Sequence, residues 1–447
     1  MGKIVRIALP EKVKYIIGTM AEAGYEAYAV GGCVRDCILG RTPDDWDITT
    51  SASPYQVKAL FPHTIDTGIR HGTVTVMVGR EGFEVTTYRI DGVYEDGRHP
   101  REVAFTASLG EDLKRRDFTI NAMAYNGQAG LVDLFGGMED MERKVIRCVG
   151  NPAERFGEDA LRMMRAVRFS AQLGYRIEEE TAAAIKKLSP NLVLVSAERI
   201  QAELVKLATS PHPGNLRLAY ETGITKVILP EFDACMETGQ KNIHHCYSVG
   251  EHILESMEAV RADKVLRLAM LFHDMGKPAA FTVDDGGGGH FHGHPEVSRE
   301  LAEKILKRLR FDNHTIHMVT ELVKYHDYNV EPQMGSVRRA IMKMGEDIFL
   351  PLLEVKRADL AAQSSYMREE KEARLEALYQ VYGQVKAREQ CVSLKDLAVT
   401  GKDLIKETGM EPGPEMGAML RRLLDMVVEE PSLNERETLL GKVKEFL

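Results

Sequence analysis

Apolar and polar residues alternate in two short stretches, Thr73-Val-Thr-Val-Met-Val78 and Phe83-Glu-Val-Thr-Thr-Tyr88. Both are rich in β-branched residues, and the turn Gly79-Arg-Glu-Gly82 lies between them. This is the pattern of a hairpin of half-buried strands. Up to Gly136-Gly137 the chain mixes short strands of this kind with helices. Beyond that point the spacing of apolar positions is helical almost to Leu447. Breaks fall at Ser189-Pro190, Pro211-His-Pro-Gly214, Pro230, Asp284-Asp-Gly-Gly-Gly-Gly289 and Glu411-Pro-Gly-Pro414. No internal repeat is visible, and Gly286 to Gly289 is expected to be a mobile loop. The expected fold class is α+β, an N-terminal head with an antiparallel β-sheet and helices followed by all-α segments.

A chain of 447 residues is too long for one core, so about two to four domains are expected. Apolar content of 44% with 28% charged residues suits a soluble globular protein. No apolar run approaches the roughly 20 residues of a membrane span. The N-terminus lacks a signal-peptide pattern, and the expected location is cytoplasmic. The six cysteines (33, 37, 148, 235, 246 and 391) form neither a Cys-x-x-Cys zinc spacing nor a disulfide framework. The formal charge of −9 argues against a nucleic-acid partner only as an average. From Met141 to Arg176 eight Lys and Arg face four Asp and Glu, a local surplus able to track phosphates.

The stretch Tyr28 to Thr50 concentrates the chemistry. Asp45 and Asp47 stand two apart in what is expected to be a strand, where alternate side chains share a face. Two carboxylates so placed can hold a hard divalent cation such as Mg²⁺. Gly31 and Gly32 let the backbone turn closely around a triphosphate, whose charge Arg35 can neutralise. Glu84 in the second hairpin strand is either a third carboxylate for the metal or an ordinary edge-strand residue.

With Thr67 to Val76, Tyr94 to Pro100, Arg115 to Met123, Glu158 to Arg162 and Glu198 to Leu204, this constellation resembles the class II CCA-adding tRNA nucleotidyltransferases and bacterial poly(A) polymerases. The resemblance runs almost the length of the chain. It implies a catalytic head at residues 1–137, a helical neck at 138–210, a helical body at 211–365 and a tRNA-binding tail at 366–447. It further implies tRNA, CTP and ATP as partners. Arg115, Arg116 and Asp117 would contact triphosphate and ribose, and Asn121 would fix their turn. Asp159 and Arg162, expected side by side at i, i+3 on one helix, would read the base, with Arg165 and Arg168 alongside. Taken alone, that pair is a surface salt bridge. A carboxylate and a guanidinium match the Watson–Crick edges of cytosine and adenine and oppose those of uracil and guanine. The segment Asp91 to Pro100, with Gly92, Gly97 and Arg98, is similar to the loop that lets such enzymes switch from C to A. That favours full CCA addition over polyadenylation, with A-only addition left open.

A second set of residues resembles the His-Asp (HD) metal phosphohydrolases. His245, His273, Asp274 and Asp359 match the basic ligand order, and His294 and His326 match the extra ligands of binuclear forms. Imidazole with carboxylate suits Mn²⁺, Ni²⁺ or Fe²⁺. His290 and His292 fall outside the pattern. In the tail, Gly409 to Gly417 is read equally as a phosphate contact and as helix packing. A phosphohydrolase with an RNA-delivering head and a non-catalytic RNA-binding protein are the rival classes. A homodimer is an open alternative to a monomer.

Overall fold

A computed structural model describes residues 5–91, 103–240, 247–283, 289–387 and 392–447. The chain divides into two compact units, Met1–Pro230 and Glu231–Leu447.

The first unit is built on a seven-stranded sheet. Its strands are β1 (Ala27–Val30), β2 (Ile48–Thr50), β3 (Thr64–Gly68), β4 (Thr73–Val78), β5 (Glu81–Thr87), β8 (Met123–Asn126) and β9 (Gly130–Asp133), in the order β3-β4-β5-β2-β1-β8-β9. A separate pair, β6 (Arg89–Asp91) and β7 (Val103–Phe105), lies between β5 and β8 in the chain. The expected hairpin forms as β4 and β5, but its turn is tighter than predicted. Val78 pairs with Glu81 and Met77 with Gly82, leaving Gly79 (φ +68°) and Arg80 at the bend.

The antiparallel expectation needs one correction, because β2 and β5 run parallel with Ile48 opposite Val85. They are joined through a long crossover that includes helix α3 (Pro54–Leu60) and strands β3 and β4, which reverses the usual hairpin sense. Helix α1 (Glu11–Glu22) buries Val13, Ile16, Ile17 and Met20, the stripe that a 3.6-residue period provides. Between β1 and β2 lies α2 (Gly32–Ile38), and before β8 lies α4 (Leu109–Lys114).

Helices α5 (Gly137–Glu142), α6 (Pro152–Glu158), α7 (Leu161–Leu173), α8 (Glu179–Leu188) and α9 (Ala197–Ala208) complete the site-bearing part of this unit. Ten of the thirteen residues of α7 are buried, and it stops at Gly174 in the left-handed region (φ +68°). A helix that must present arginines from within a packed environment is the consequence.

In the second unit five helices, Val249–Ala259, Lys264–Phe272, His294–Arg308, Asn313–Tyr325 and Glu346–Ala361, position the histidine-aspartate motif, with His273, Asp274 and His326 just past helix C-termini. Nearer the C-terminus Leu404, Leu423, Val427, Leu439 and Val443 form a fully buried apolar cluster of their own. Among the described residues no helix is long and apolar enough to cross a membrane.

Candidate active site and a buried histidine-aspartate centre

In the first unit, Gly31, Gly32, Arg35, Asp45, Asp47, Arg116, Asp117, Asn121, Arg165 and Arg168 line one cavity of about 690 Å³. Asp45 and Asp47 are not within the strand itself. β2 starts at Ile48, and the Asp47 carbonyl accepts from the Val30 amide at 3.0 Å, so pairing with β1 begins just as the carboxylates end. Both residues remain solvent-accessible. The surrounding protein and then the Asp45 charge push the Asp47 carboxyl up to about 6, against the pull of Arg116. Glu84 adds to the same crowding, being level with Asp47 through the β2 and β5 register. A carboxyl pushed up by two neighbouring carboxylates fits a site for a divalent cation.

Gly31 takes φ +81°, and a Cβ there would lie 3.2 Å from Nη1 of Arg116. Only glycine allows both the turn and that close approach. Arg35 donates through Nη1 to Asn121 Oδ1 at 2.7 Å, and Asn121 Nδ2 donates to Asp117 Oδ1 at 3.2 Å. Asp117 Oδ2 in turn accepts from Arg165 Nε at 2.7 Å. A continuous polar chain therefore crosses the cavity from α2 to α7. Burial alone would raise the Asp117 carboxyl, but Arg165 and Arg162 outweigh it and hold it down at about 2.

Arg115 and Arg116 both converge on Asp112, at 2.9 and 3.2 Å. Asp112 is fully buried and also accepts from Thr49 Oγ1 at 3.1 Å, which ties the two arginines to β2. The motif pattern does not single out Asp112. Its position three and four residues before the arginines, at the end of α4, is the signal that could have found it.

The expected side-by-side arrangement of Asp159 and Arg162 is not what forms. Asp159 lies between α6 and α7 in extended backbone (φ −144°), so the i, i+3 helical geometry does not apply. Its carboxylate accepts a fork from Arg199 at 2.7 and 3.2 Å. Arg162 instead pairs with Glu158 at 2.5 Å and donates to the Arg115 carbonyl at 3.1 Å. Arg168 pairs with Glu203 at 2.7 Å, and burial moves its guanidinium down to about 10. Gly92, Gly97, Arg98 and Pro100 lie outside the described residues, and Asp91 ends β6.

In the second unit, six side chains close on each other. His252 Nε2 is 3.4 Å and His273 Nε2 3.3 Å from Asp274 Oδ2, while His294 Nε2 is 3.2 Å and His326 Nε2 3.6 Å from Asp274 Oδ1. Asp359 Oδ1 lies 2.9 Å from His252 Nε2. Two candidate metal triads share Asp274: His252 with His273, and His294 with His326.

The tautomers follow from the backbone. Each imidazole places Nδ1 against a carbonyl: His252 on Ala362, His273 on Met270, His294 on Phe291 and His326 on Val323, at 2.7 to 3.3 Å. With Nδ1 donating to a carbonyl, Nε2 is the nitrogen that faces inward, where it can ligate a metal or hold a proton. The pairs of Nε2 atoms are 3.3 and 3.2 Å apart. Lone pairs so close repel unless a cation or proton stands between them, so the donor set fits divalent metal. Gly276 permits this convergence, since a Cβ there would lie 2.5 Å from the Ser298 amide in the helix that starts with His294.

His245 lies outside the described residues, and the imidazole beside Asp359 is that of His252. The pattern of motifs passes over His252 because it sits in an apolar stripe with Val249, Ile253 and Met257. A titratable residue on such a buried stripe is the signal for it. His290 and His292 stack on each other at 5.4 Å and join neither triad.

Comparison with known proteins gives this arrangement its setting. Residues 27–147 match the poly A polymerase head domain, and residues 294–443 match tRNA nucleotidyltransferase domain 2. A CCA-adding enzyme of Limosilactobacillus reuteri (strain DSM 20016) is 34% identical over 98% of this chain and 97% of its own length. One of Lactiplantibacillus plantarum is 35% identical over 96% of this chain and 95% of its own. The crystal structure of the Bacillus stearothermophilus CCA-adding enzyme in complex with CTP superposes with a TM-score of 0.72 at 31% identity, covering 96% of this chain and 95% of that one. End-to-end identity at this level, with the head and the second domain each matched in order, places the chain in the class II CCA-adding enzyme family.

Proposed function

We propose that this chain builds and repairs the 3′-terminal CCA of tRNA, taking CTP and ATP without a nucleic-acid template and releasing pyrophosphate. The observation that carries the reading is the cavity in which Asp45 and Asp47 oppose Arg35, Arg116 and Arg165, in a chain alignable with CCA-adding enzymes along nearly all its length. Asp45 and Asp47, with Glu84 beside them, would hold Mg²⁺. Such a cation supplies charge neutralisation at the attacking and leaving oxygens of nucleotidyl transfer.

The remaining work belongs to the protein's own side chains. Arg35, Arg116, Arg165 and Arg168 bind and orient the triphosphate, and Arg115 acts with Arg116 through Asp112. Asp117 and Asn121 offer an acceptor and an amide to ribose hydroxyls, which selects ribonucleotides. Asp159 and Arg162 read the base after exchanging Arg199 and Glu158 for its Watson–Crick edge. The test uses tRNA transcripts ending before CCA, after C and after CC, each supplied with CTP, ATP or both. Ordered C, C, A addition supports the reading. Addition of A alone, or of an A tail, would replace it.

The histidine-aspartate centre favours a second activity. We propose that His252, His273, Asp274, His294, His326 and Asp359 hold Mn²⁺, Ni²⁺ or Fe²⁺ and hydrolyse a phosphomonoester or 2′,3′-cyclic phosphate. What supports it is the inward set of four Nε2 atoms around a shared carboxylate. An RNA end blocked by phosphate cannot attack a nucleotide, so such a hydrolase would prepare the terminus for extension. If the protein hydrolyses neither ester with any of these metals, the centre is structural.

A further inference from the structure

Phe169 is where three cations meet. It lies on the buried helix α7, is 5% exposed and lines the cavity that holds Asp45 and Asp47. The Arg168 guanidinium carbon is 3.9 Å from its ring centroid, that of Arg35 is 5.1 Å away and that of Arg165 is 5.3 Å away. Phe118, from the same turn as Asp117 and Asn121, meets the ring edge-on at 5.8 Å and 82°.

Each arginine also has a polar partner beside the ring. Arg35 holds Asp36 and Asn121, Arg165 holds Asp117, and Arg168 holds Glu203. Asn121 and Asp117 link Arg35 to Arg165, but that chain of hydrogen bonds does not include Arg168, whose partner Glu203 lies on α9. Three like charges in one cavity also repel. An aromatic ring answers both problems, because its π electrons attract each cation and its flat body gives guanidinium planes a common surface. A branched aliphatic side chain of similar volume would fill the space and do neither.

We propose that Phe169 is a positioning residue for nucleotidyl transfer, holding Arg35, Arg165 and Arg168 at the spacing that a polyphosphate requires. The proposal rests on the reading of this cavity as the nucleotide site. It predicts that an aromatic residue, and not merely an apolar one, is needed where the Phe169 ring of α7 meets Arg35 of α2.

The test compares Phe169→Leu, Phe169→Trp and Arg35→Ala with the unaltered protein. The measured quantities are kcat and KM for CTP and ATP on tRNA lacking its CCA, and inhibition by inorganic tripolyphosphate. Phe169→Leu should raise both nucleotide KM values and the tripolyphosphate inhibition constant in parallel, each by roughly tenfold, with kcat changed by less than about threefold. Phe169→Trp, which keeps the π face, should recover to within about threefold of the original. Should Phe169→Leu not fold, Phe169→Met takes its place in the same comparison.

Unchanged KM and inhibition in the aliphatic variant would overturn the proposal. So would a Trp variant as impaired as the aliphatic one, since the ring would then be mere packing. Arg35→Ala separates the two levels. If it leaves tripolyphosphate inhibition unaltered, the nucleotide reading of the cavity fails as well. If it weakens inhibition while Phe169→Leu does not, only the role of Phe169 falls.

Discussion

The pair formed by Asp117 and Arg165 joins the head to α7, and its strength can be worked out before it is measured. Asp117 lies at about 2, below the ordinary 3.8, because Arg165 and Arg162 outweigh the cost of burial. At roughly 1.4 kcal/mol for each pH unit, that displacement corresponds to about 2.5 kcal/mol favouring the folded, charged form. Arg162 and Asn121 share in that displacement, and Arg165 keeps 34% of its side-chain exposure against 8% for Asp117, so the expected coupling of this one pair is on the order of 1–2 kcal/mol.

A double-mutant cycle of Asp117→Asn and Arg165→Gln isolates this term. The asparagine retains an oxygen for the Phe118 amide, which donates to Asp117 Oδ1 at 2.8 Å. Urea unfolding followed by the fluorescence of Trp46, the single tryptophan, reports on the first unit alone. A carboxyl depressed on folding contributes its stability in full above the unfolded value and loses it only as pH falls from about 4 toward 2. The coupling should therefore be the same at pH 7.5 and pH 5. A coupling below about 0.5 kcal/mol, or one that already shrinks between those pH values, would refute the reasoning.

Three further outcomes are expected. Asp45→Asn or Asp47→Asn should abolish incorporation of both C and A while tRNA binding, measured by filter retention, survives; transfer near the original rate would remove these carboxylates from the chemistry. Arg199→Ala should free Asp159 and reduce discrimination against UTP, since each lost or misdirected buried hydrogen bond is worth on the order of 1–3 kcal/mol, whereas Arg199→Lys should recover part of it. His252→Ala should lower the divalent metal retained after dialysis, read by elemental analysis, and leave nucleotide addition within about threefold because its ligands lie on separate segments.

The residues that follow from the sequence alone are those whose neighbours are close in the chain. Gly31 and Gly32, the aspartates at 45 and 47 and the run from Arg115 to Asn121 are each short, and local backbone rules suffice to group them. The hairpin of β4 and β5 is legible for the same reason, although its turn closed two residues tighter than the alternation implied. The α+β class and the change to helix after Gly137 follow from periodicity alone.

Other features needed the tertiary structure because their partners are remote. The parallel pairing of β2 with β5 depends on a crossover whose path no local pattern records. Asp159 turned from Arg162 to Arg199, forty residues away, once the chain between α6 and α7 proved extended. His252 looked like one more position on an apolar stripe until Asp359, 107 residues further on, was brought against it. No local pattern singles out Phe169, and only folding places three guanidiniums around its ring. Residue type and short spacing set which chemistry a segment can offer. Which charges actually meet is decided by packing, because burial makes an unpaired charge costly and forces each one to find a partner wherever in the chain it lies.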